Sequence, residues 1–226
     1  MLAAEEGCYE ARRAAALTGV PVSTVYYWAK TGVVVPSISP VREKLWSYAD
    51  LLCLRIVSWL RRPKDLREGM VPATAMRQVR ETLVFLDRHG LDLWRPSASN
   101  AVSPLLVDQA GTIWIRHPDG SLSDYTGHAI LNLEGEYLDL LAPYSEAGHP
   151  GPDLVRPRPR LRIVPLKVAG EPHIVGSRIT SRSLDSLAKR GFGSAVIAEM
   201  CGLDEQSVDE AIDLERQLSL GVRPAA

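Results

Sequence analysis

Ala15-Ala16-Leu17-Thr18-Gly19-Val20-Pro21-Val22-Ser23-Thr24-Val25-Tyr26-Tyr27-Trp28-Ala29-Lys30 is the stretch on which the fold turns. An Ala-rich helical pattern, Glu10–Leu17, runs into it. Thr18-Gly19-Val20-Pro21 then breaks the helix, because glycine takes backbone angles closed to other residues and proline has no N–H for the ladder. A second helix is predicted from about Val22 to Lys30, stopping at Gly32. Ala15, Val25 and Trp28 fall where the two helices pack together. Ser23, Thr24, Tyr27 and Lys30 fall on the outward face.

Downstream, Val33–Val35 is a β-branched run and Pro36-Ser37-Ile38-Ser39-Pro40 is a loop. Leu45–Trp46 can return as a strand and close a small wing. Ser47-x-x-Asp50 has the spacing of a capping box, in which each residue bonds the other's backbone N–H. It introduces Leu51–Arg62, apolar on most faces and ended by Pro63. A helix-turn-helix of this kind presents hydroxyls, aromatics and cations from its second helix to a DNA groove. Arg12 and Arg13 are expected near the DNA backbone, with Arg42 and Lys44 on the wing. The charge distribution agrees. Residues 1–90 hold thirteen Lys/Arg against nine Asp/Glu, a net of +4 in a chain whose total is −1, so a polyanion is drawn to this end.

The run Ala15-x-x-Thr18-Gly19-Val20-x-x-Ser23-Thr24-Val25-x-x-Trp28-x-x-x-Gly32, followed by Tyr48-x-Asp50-Leu51-x-x-Leu54-Arg55, resembles the winged helix of the MerR family over about residues 9–62. The resemblance implies a DNA-binding domain at residues 1–65. Two departures stand out. Metal- and drug-sensing members carry a long coiled-coil helix after the reader, whereas the helix predicted here, Pro72 to His89 with a stripe of Met76, Val79, Leu83 and Leu86, is short. A metal sensor's cysteine cluster is also missing.

Residues 66–164 are expected to comprise that connecting helix, a β-rich segment and a Pro-rich linker, with the change of character over 91–145. Leu105-Leu106-Val107 and Thr112-Ile113-Trp114-Ile115 read as short strands joined through Gln109-Ala110-Gly111, and Pro118-Asp119-Gly120 is a turn signal. Gly148-His149-Pro150-Gly151-Pro152 and Arg156-Pro157-Arg158-Pro159-Arg160 read as a Pro-stiffened linker.

From about residue 165 a compact domain is expected. His173–Val175 and Arg178–Ser181 are predicted as two short strands around Gly176-Ser177. Helices are predicted at about Leu184–Arg190, Ser194–Cys201 and Glu205–Leu218. Over 203–218, Asp204, Glu205, Asp209, Glu210, Asp213 and Glu215 face only Arg216. Such a helix repels DNA, so Asp209 and Asp213 are candidates for a partner or dimer surface. Arg178 is a candidate to hold a carboxylate bidentately, within the domain or across a dimer.

Pro172-x-Ile174-x-Gly176-Ser177-Arg178-Ile179, with Leu187, Gly191-x-Gly193, Ile197 and Leu203-Asp204-x-x-x-Val208-x-x-Ala211-Ile212, resembles the domain-of-unknown-function family four hundred and thirty-three over about residues 165–220. That family commonly has Gly-Thr-Arg where this chain has Gly-Ser-Arg. Such domains occur in VapB-type antitoxins of toxin–antitoxin systems. The resemblance implies a protein that binds and neutralises a PIN-like ribonuclease toxin and autorepresses its operon as a homodimer on operator DNA. The alternatives are a MerR-like ligand-responsive regulator without a toxin partner, and a protein-interaction module that no longer reads DNA.

Other classes find little support. Cys8, Cys53 and Cys201 are scattered, and His89, His117, His128, His149 and His173 are each isolated, so no metal site, cofactor or enzyme activity is expected. No stretch of about 18 apolar residues exists. The acidic start at Met1–Glu6 lacks a signal-peptide pattern, so a cytoplasmic protein is expected. The fold class expected is α+β and mostly helical: a winged helix-turn-helix, a small β-rich middle segment, and a three-helix domain with a short strand pair.

Overall fold

The computed structural model describes residues 7–66, 69–93, 95–96, 101–130, 136–139, 141–146 and 149–221; the acidic start at 1–6 lies outside them. The fold is α+β and mostly helical. The chain forms two compact units, Met1–Leu51 with Ala142–Ala226, and Leu52–Leu141. The sequence reading had placed residues 1–65 and 165–226 in separate domains. The first unit instead joins the two ends of the chain.

In that unit β1 (Tyr9–Glu10) leads into α1 (Ala11–Thr18) and α2 (Val22–Lys30). The corner forms as its residues dictate. Gly19 has φ 74°, and its N–H donates to the Ala15 carbonyl at 2.9 Å. Thr18 Oγ1 donates to Ala14 O at 2.6 Å, closing the last turn of α1. Ala15, Val25 and Trp28 are buried together with Leu17 and Val20, as the packing argument required.

β2 (Leu45–Trp46) forms, but its partner is β1 rather than the Val33–Val35 run. Tyr9 lies opposite Trp46 and Glu10 opposite Leu45, with one further bridge from Ser39 to Leu45 closing the wing. Val33 and Val34 are buried without forming a strand. Their β-branched character fills core instead of a ladder.

The capping box at the start of α3 (Tyr48–Leu60) is real. Ser47 N donates to Asp50 Oδ2 at 2.8 Å, and Asp50 N donates to Ser47 Oγ at 3.2 Å. The same Asp50 oxygen accepts from Ser37 N at 2.9 Å and from Ser37 Oγ at 2.8 Å, so one buried carboxylate fastens both the helix and the wing loop.

The second unit contains the β3 (Lys64–Leu66) and β4 (Gly69–Val71) hairpin, α4 (Met76–Arg88) and an antiparallel sheet. α4 begins four residues later than predicted. Thr74 N donates to Leu60 O at 2.9 Å and Thr74 Oγ1 to Gly111 O at 2.8 Å, which holds 73–75 out of the helix. Val79 and Leu86 of the predicted stripe are buried. The sheet comprises β5 (Arg95–Pro96), β6 (Ala101–Val107), β7 (Ile113–Arg116), β8 (Leu122–Ser123), β9 (Ala129–Ile130) and β10 (Glu136–Asp139), in the order β10-β6-β7-β8-β9 with β5 also on β6. Three of its loops share one device. Gly111, Gly120 and Gly127 have φ of 79°, 87° and 87°, and each donates its N–H to the carbonyl three residues back. A type I turn followed by a left-handed glycine is a standard way to close a short hairpin.

Returning to the first unit, β11 (Tyr144–Glu146) pairs with β12 (His149–Gly151), so half of the predicted linker is a hairpin. β13 (Leu161–Arg162) pairs with β14 (His173–Ile174). The predicted second strand at Arg178–Ser181 is reduced to a bridge between His173 and Thr180 and a bond from Ile174 N to Ile179 O at 3.0 Å. Leu161 and Ile174 are both buried, and that apolar pairing takes the strand position.

α5 (Ser181–Lys189), α6 (Ser194–Cys201) and α7 (Glu205–Gly221) complete the unit. Thr180 and Asp204 cap α5 and α7 by accepting from Ser183 N and Ser207 N. Leu184, Ile197, Val208, Ala211, Leu214 and Leu218 bury the apolar faces of the three helices.

Candidate nucleic-acid interface

The outer face of α2 is a row of polar and aromatic side chains over a buried one. Val25 and Trp28 point into the core; Ser23, Tyr26, Tyr27 and Lys30 are exposed and Thr24 is half-exposed. Tyr27 is 59% and Tyr26 49% accessible, which is unusual for aromatics with a core beneath them. Tyr26 was missed in the sequence because periodicity alone assigns it to the helix flank. It leans edge-on against Trp46 with ring centroids 6.2 Å apart, which ties this face to the wing strand.

The four predicted cations outside α2 part company. Arg12 is exposed at the first turn of α1, and Arg42 is exposed at the wing tip. Lys44 Nζ donates to the carbonyls of Pro40 and Val41 at 2.9 and 3.0 Å, so the ammonium closes the wing loop on itself. Arg13 does not face solvent at all, which corrects the expectation that it lies beside a DNA backbone. It is 5% exposed.

The Arg13 guanidinium bridges two carboxylates. Nε and Nη2 donate to Glu171, at 3.0 and 2.6 Å to Oε2. Nη1 and Nη2 donate to Glu215, each at 2.8 Å. Ser181 Oγ donates to the same Glu215 carboxylate. Burial alone would lower the Arg13 pKa, but the bond to Glu215 and the charges of Glu171 and Glu215 outweigh it and hold the guanidinium above its ordinary range. Burial raises the Glu215 carboxyl while Arg13 and Ser181 lower it, and the net shift is downward. Thus α1 of the helix-turn-helix is locked to α7 and to the segment before β14.

A second clasp lies beside the first. Cys8 N donates to Ala169 O at 2.8 Å, and Tyr9 Oη donates to Gly170 O at 2.9 Å. Burial pushes the Tyr9 phenol well above its ordinary pKa, so it is a permanent donor. Its acceptor turn is unusual: Val168, Ala169 and Gly170 have φ of 45°, 54° and 79°. A left-handed valine is strained. The bonds from β1 help hold it there.

The acidic helix is also not the open surface the sequence suggested. Arg158 donates to Asp213 at 2.8 Å and to Gln217 at 2.7 Å. Arg160 lies 3.3 Å from Asp204, and its backbone N donates to Glu210 at 2.8 Å. The Arg-Pro segment that read as a linker is therefore docked on α7. Asp209 is exposed, and so is Arg178, for which no in-chain carboxylate partner is found among the described residues. The His, Cys, Asp and Glu side chains of the described residues form no metal-binding group, and no described helix is long and apolar enough to cross a membrane.

The buried corner, the outward row on α2 and the wing behind it define a helix-turn-helix of the class that binds DNA. Residues 9–67 match the family model described as MerR HTH family regulatory protein. Comparison with curated proteins and with solved structures gave no match. The chain thus carries a MerR-like helix-turn-helix, and this likeness indicates DNA-binding transcription regulation.

Proposed function

We propose that this chain is a transcription regulator that sets α2 into the major groove of operator DNA and represses its own operon. The observation that carries the reading is the α2 face itself: Ser23, Tyr26, Tyr27 and Lys30 stand exposed above buried Val25 and Trp28, within the MerR-like segment. Ser23, Thr24 and Tyr27 supply hydroxyls for base edges and phosphates, and Lys30, Arg12 and Arg42 supply charge. One winged helix makes few phosphate contacts, so a dimer on a palindromic site follows. Fluorescence anisotropy with DNA from upstream of the gene, across a salt series, tests this. About six neutralised phosphates give a slope of log K against log salt near −5. A salt-independent affinity refutes it.

A second function, neutralisation of a PIN-like ribonuclease, rests on the resemblance of residues 165–220; the three helices there were expected from the apolar pattern and glycine spacing alone. The acidic surface offered to a basic nuclease is narrower than the sequence implied. Asp213 is engaged by Arg158, and Glu205 and Asp209 are the exposed carboxylates of α7 for which no bond or ion pair is found among the described residues. Co-expression with the neighbouring gene product and a ribonuclease assay decide it. No complex favours the ligand-responsive regulator instead.

A further inference from the structure

A shallow cavity of about 310 Å³ opens between α1, α5 and α7, floored by Ala16 and Leu218. Its charges do not balance. Arg13 and Glu215 face it, and Arg13 is shared between Glu215 and Glu171 behind it, so this triad carries a net of −1. Lys189 and Asp185 line it as an i,i+4 ion pair. Two guanidiniums remain, Arg12 from the first turn of α1 and Arg182 from the first turn of α5. Both are exposed, and neither forms an ion pair among the described residues. The lining carries four cations against two carboxylates, and with Glu171 behind Arg13 counted a net of +1 remains, from Arg12 and Arg182 against the triad.

Two unpaired guanidiniums on one concave surface are selective in chemistry. A carboxylate presents two oxygens in one plane and matches one guanidinium edge in a fork, as Glu215 does with Arg13. A phosphoryl group presents oxygens in several directions and accommodates two such forks. We infer that this cavity binds a phosphate group. The group is either a backbone phosphate of DNA held by α2 or the phosphate of a small molecule. The first source rests on the DNA-binding function proposed above and extends the reader's footprint onto the C-terminal helices. The second makes the cavity a ligand site touching α1.

The test uses the full chain with Arg12→Ala, Arg182→Ala and both, and Arg190→Ala as a control, an exposed arginine outside the cavity. Each is melted in inorganic phosphate against chloride of equal ionic strength, and each is titrated with DNA at several salt concentrations. If the group is a DNA phosphate, each cavity substitution lowers the salt slope by about 0.9. That removes about 3.5-fold of the affinity change between 50 and 200 mM salt, and Arg190→Ala changes nothing. If it is a free phosphate, phosphate raises the melting midpoint of the parent chain and of Arg190→Ala, the cavity variants lose that rise, and the DNA slope stays put. The inference is overturned if phosphate gives no rise that the cavity substitutions remove and the slope is unchanged by them. Should the parent chain bind no DNA, the DNA function alone fails, and the phosphate arm still decides the cavity.

Discussion

Replacing Arg13 with methionine tests the junction between the helix-turn-helix and the C-terminal helices. Adding up its charge-assisted hydrogen bonds at about 1.5–3 kcal/mol each would reach or exceed the stability of a typical domain, so that sum is not the relevant quantity. What counts is the state of the carboxylates left behind. Glu171 keeps 16% of its side-chain surface in water and can be solvated. Glu215 keeps 8% and would retain only the Ser181 hydroxyl from its present set. An orphaned buried charge of this kind costs about 3–5 kcal/mol. Urea unfolding followed by tryptophan fluorescence, which includes the buried Trp28 and Trp46, reads the loss at pH 7. Arg13→Met combined with Glu215→Leu should recover more than half of it, because an apolar pair in place of a buried ion pair is close to neutral. A loss under about 1 kcal/mol for the single variant, or additive losses in the double, would refute the reasoning.

Asp50→Ala removes the acceptor shared by Ser47 and Ser37, and should cost about 1–3 kcal/mol by denaturation while leaving the α1–α2 corner in place. Gly170→Ala adds a methyl that meets the Tyr9 hydroxyl at a left-handed φ, so a lowered melting midpoint is expected; an unchanged one would mean that the turn at 168–170 yields easily. Stability should also fall on acidification in two stages. Burial lowers the His173 pKa, so the unfolded chain takes up a proton first as pH falls below about 6.5. Arg13 and Ser181 lower the Glu215 pKa against the opposing effect of burial, so its contribution is present above about 4.5 and is lost as pH falls through its folded value. In His173→Gln the first stage should vanish from a pH series of unfolding free energies and the second should remain. Lys30→Ala should weaken DNA binding evenly across sequences and reduce the salt slope by about 0.9, whereas Tyr27→Phe should change sequence preference more than slope; equal salt slopes in Lys30→Ala and the parent would exclude a phosphate contact.

What the sequence made legible was local. Gly19, Pro21 and the spacing of Ala15, Val25 and Trp28 announce the corner because every partner lies within fourteen residues. Ser47 and Asp50 announce a cap for the same reason, although nothing in that spacing foretold that Ser37 would share the carboxylate. The three helices near the C-terminus were readable from their glycine punctuation and apolar stripes. Except for Lys44, whose partners Pro40 and Val41 are local, the departures involve distant partners. Arg13 looks like Arg12 in one dimension, and only its opposition to Glu171 and Glu215, 158 and 202 residues away, separates them. Val33–Val35 has strand chemistry, but the place beside Leu45–Trp46 went to Tyr9–Glu10 from the start of the chain. Arg158 and Arg160 sit among prolines that signal a spacer, yet the chain turns there, with Leu161 N donating to Arg158 O, and both cations meet carboxylates on or next to α7. On the outer face of α2, Ser23, Thr24, Tyr27 and Lys30 followed from helical period, while Tyr26 needed knowledge of where Trp46 would lie.

The Arg13–Glu215 pair also sets an order of events during synthesis. Arg13 leaves the ribosome 202 residues before its partner. At about 5–20 residues per second, it waits roughly 10–40 s for Glu215 to be made. Throughout that interval α1 lacks Glu215, and Glu171 and the turn that receives Tyr9 follow Arg13 by 158 residues and Tyr9 by 161. The helix-turn-helix is completed by a carboxylate of α7 that is made 202 residues after Arg13. A chain terminated before Glu215 therefore cannot hold Arg13 as the complete structure does.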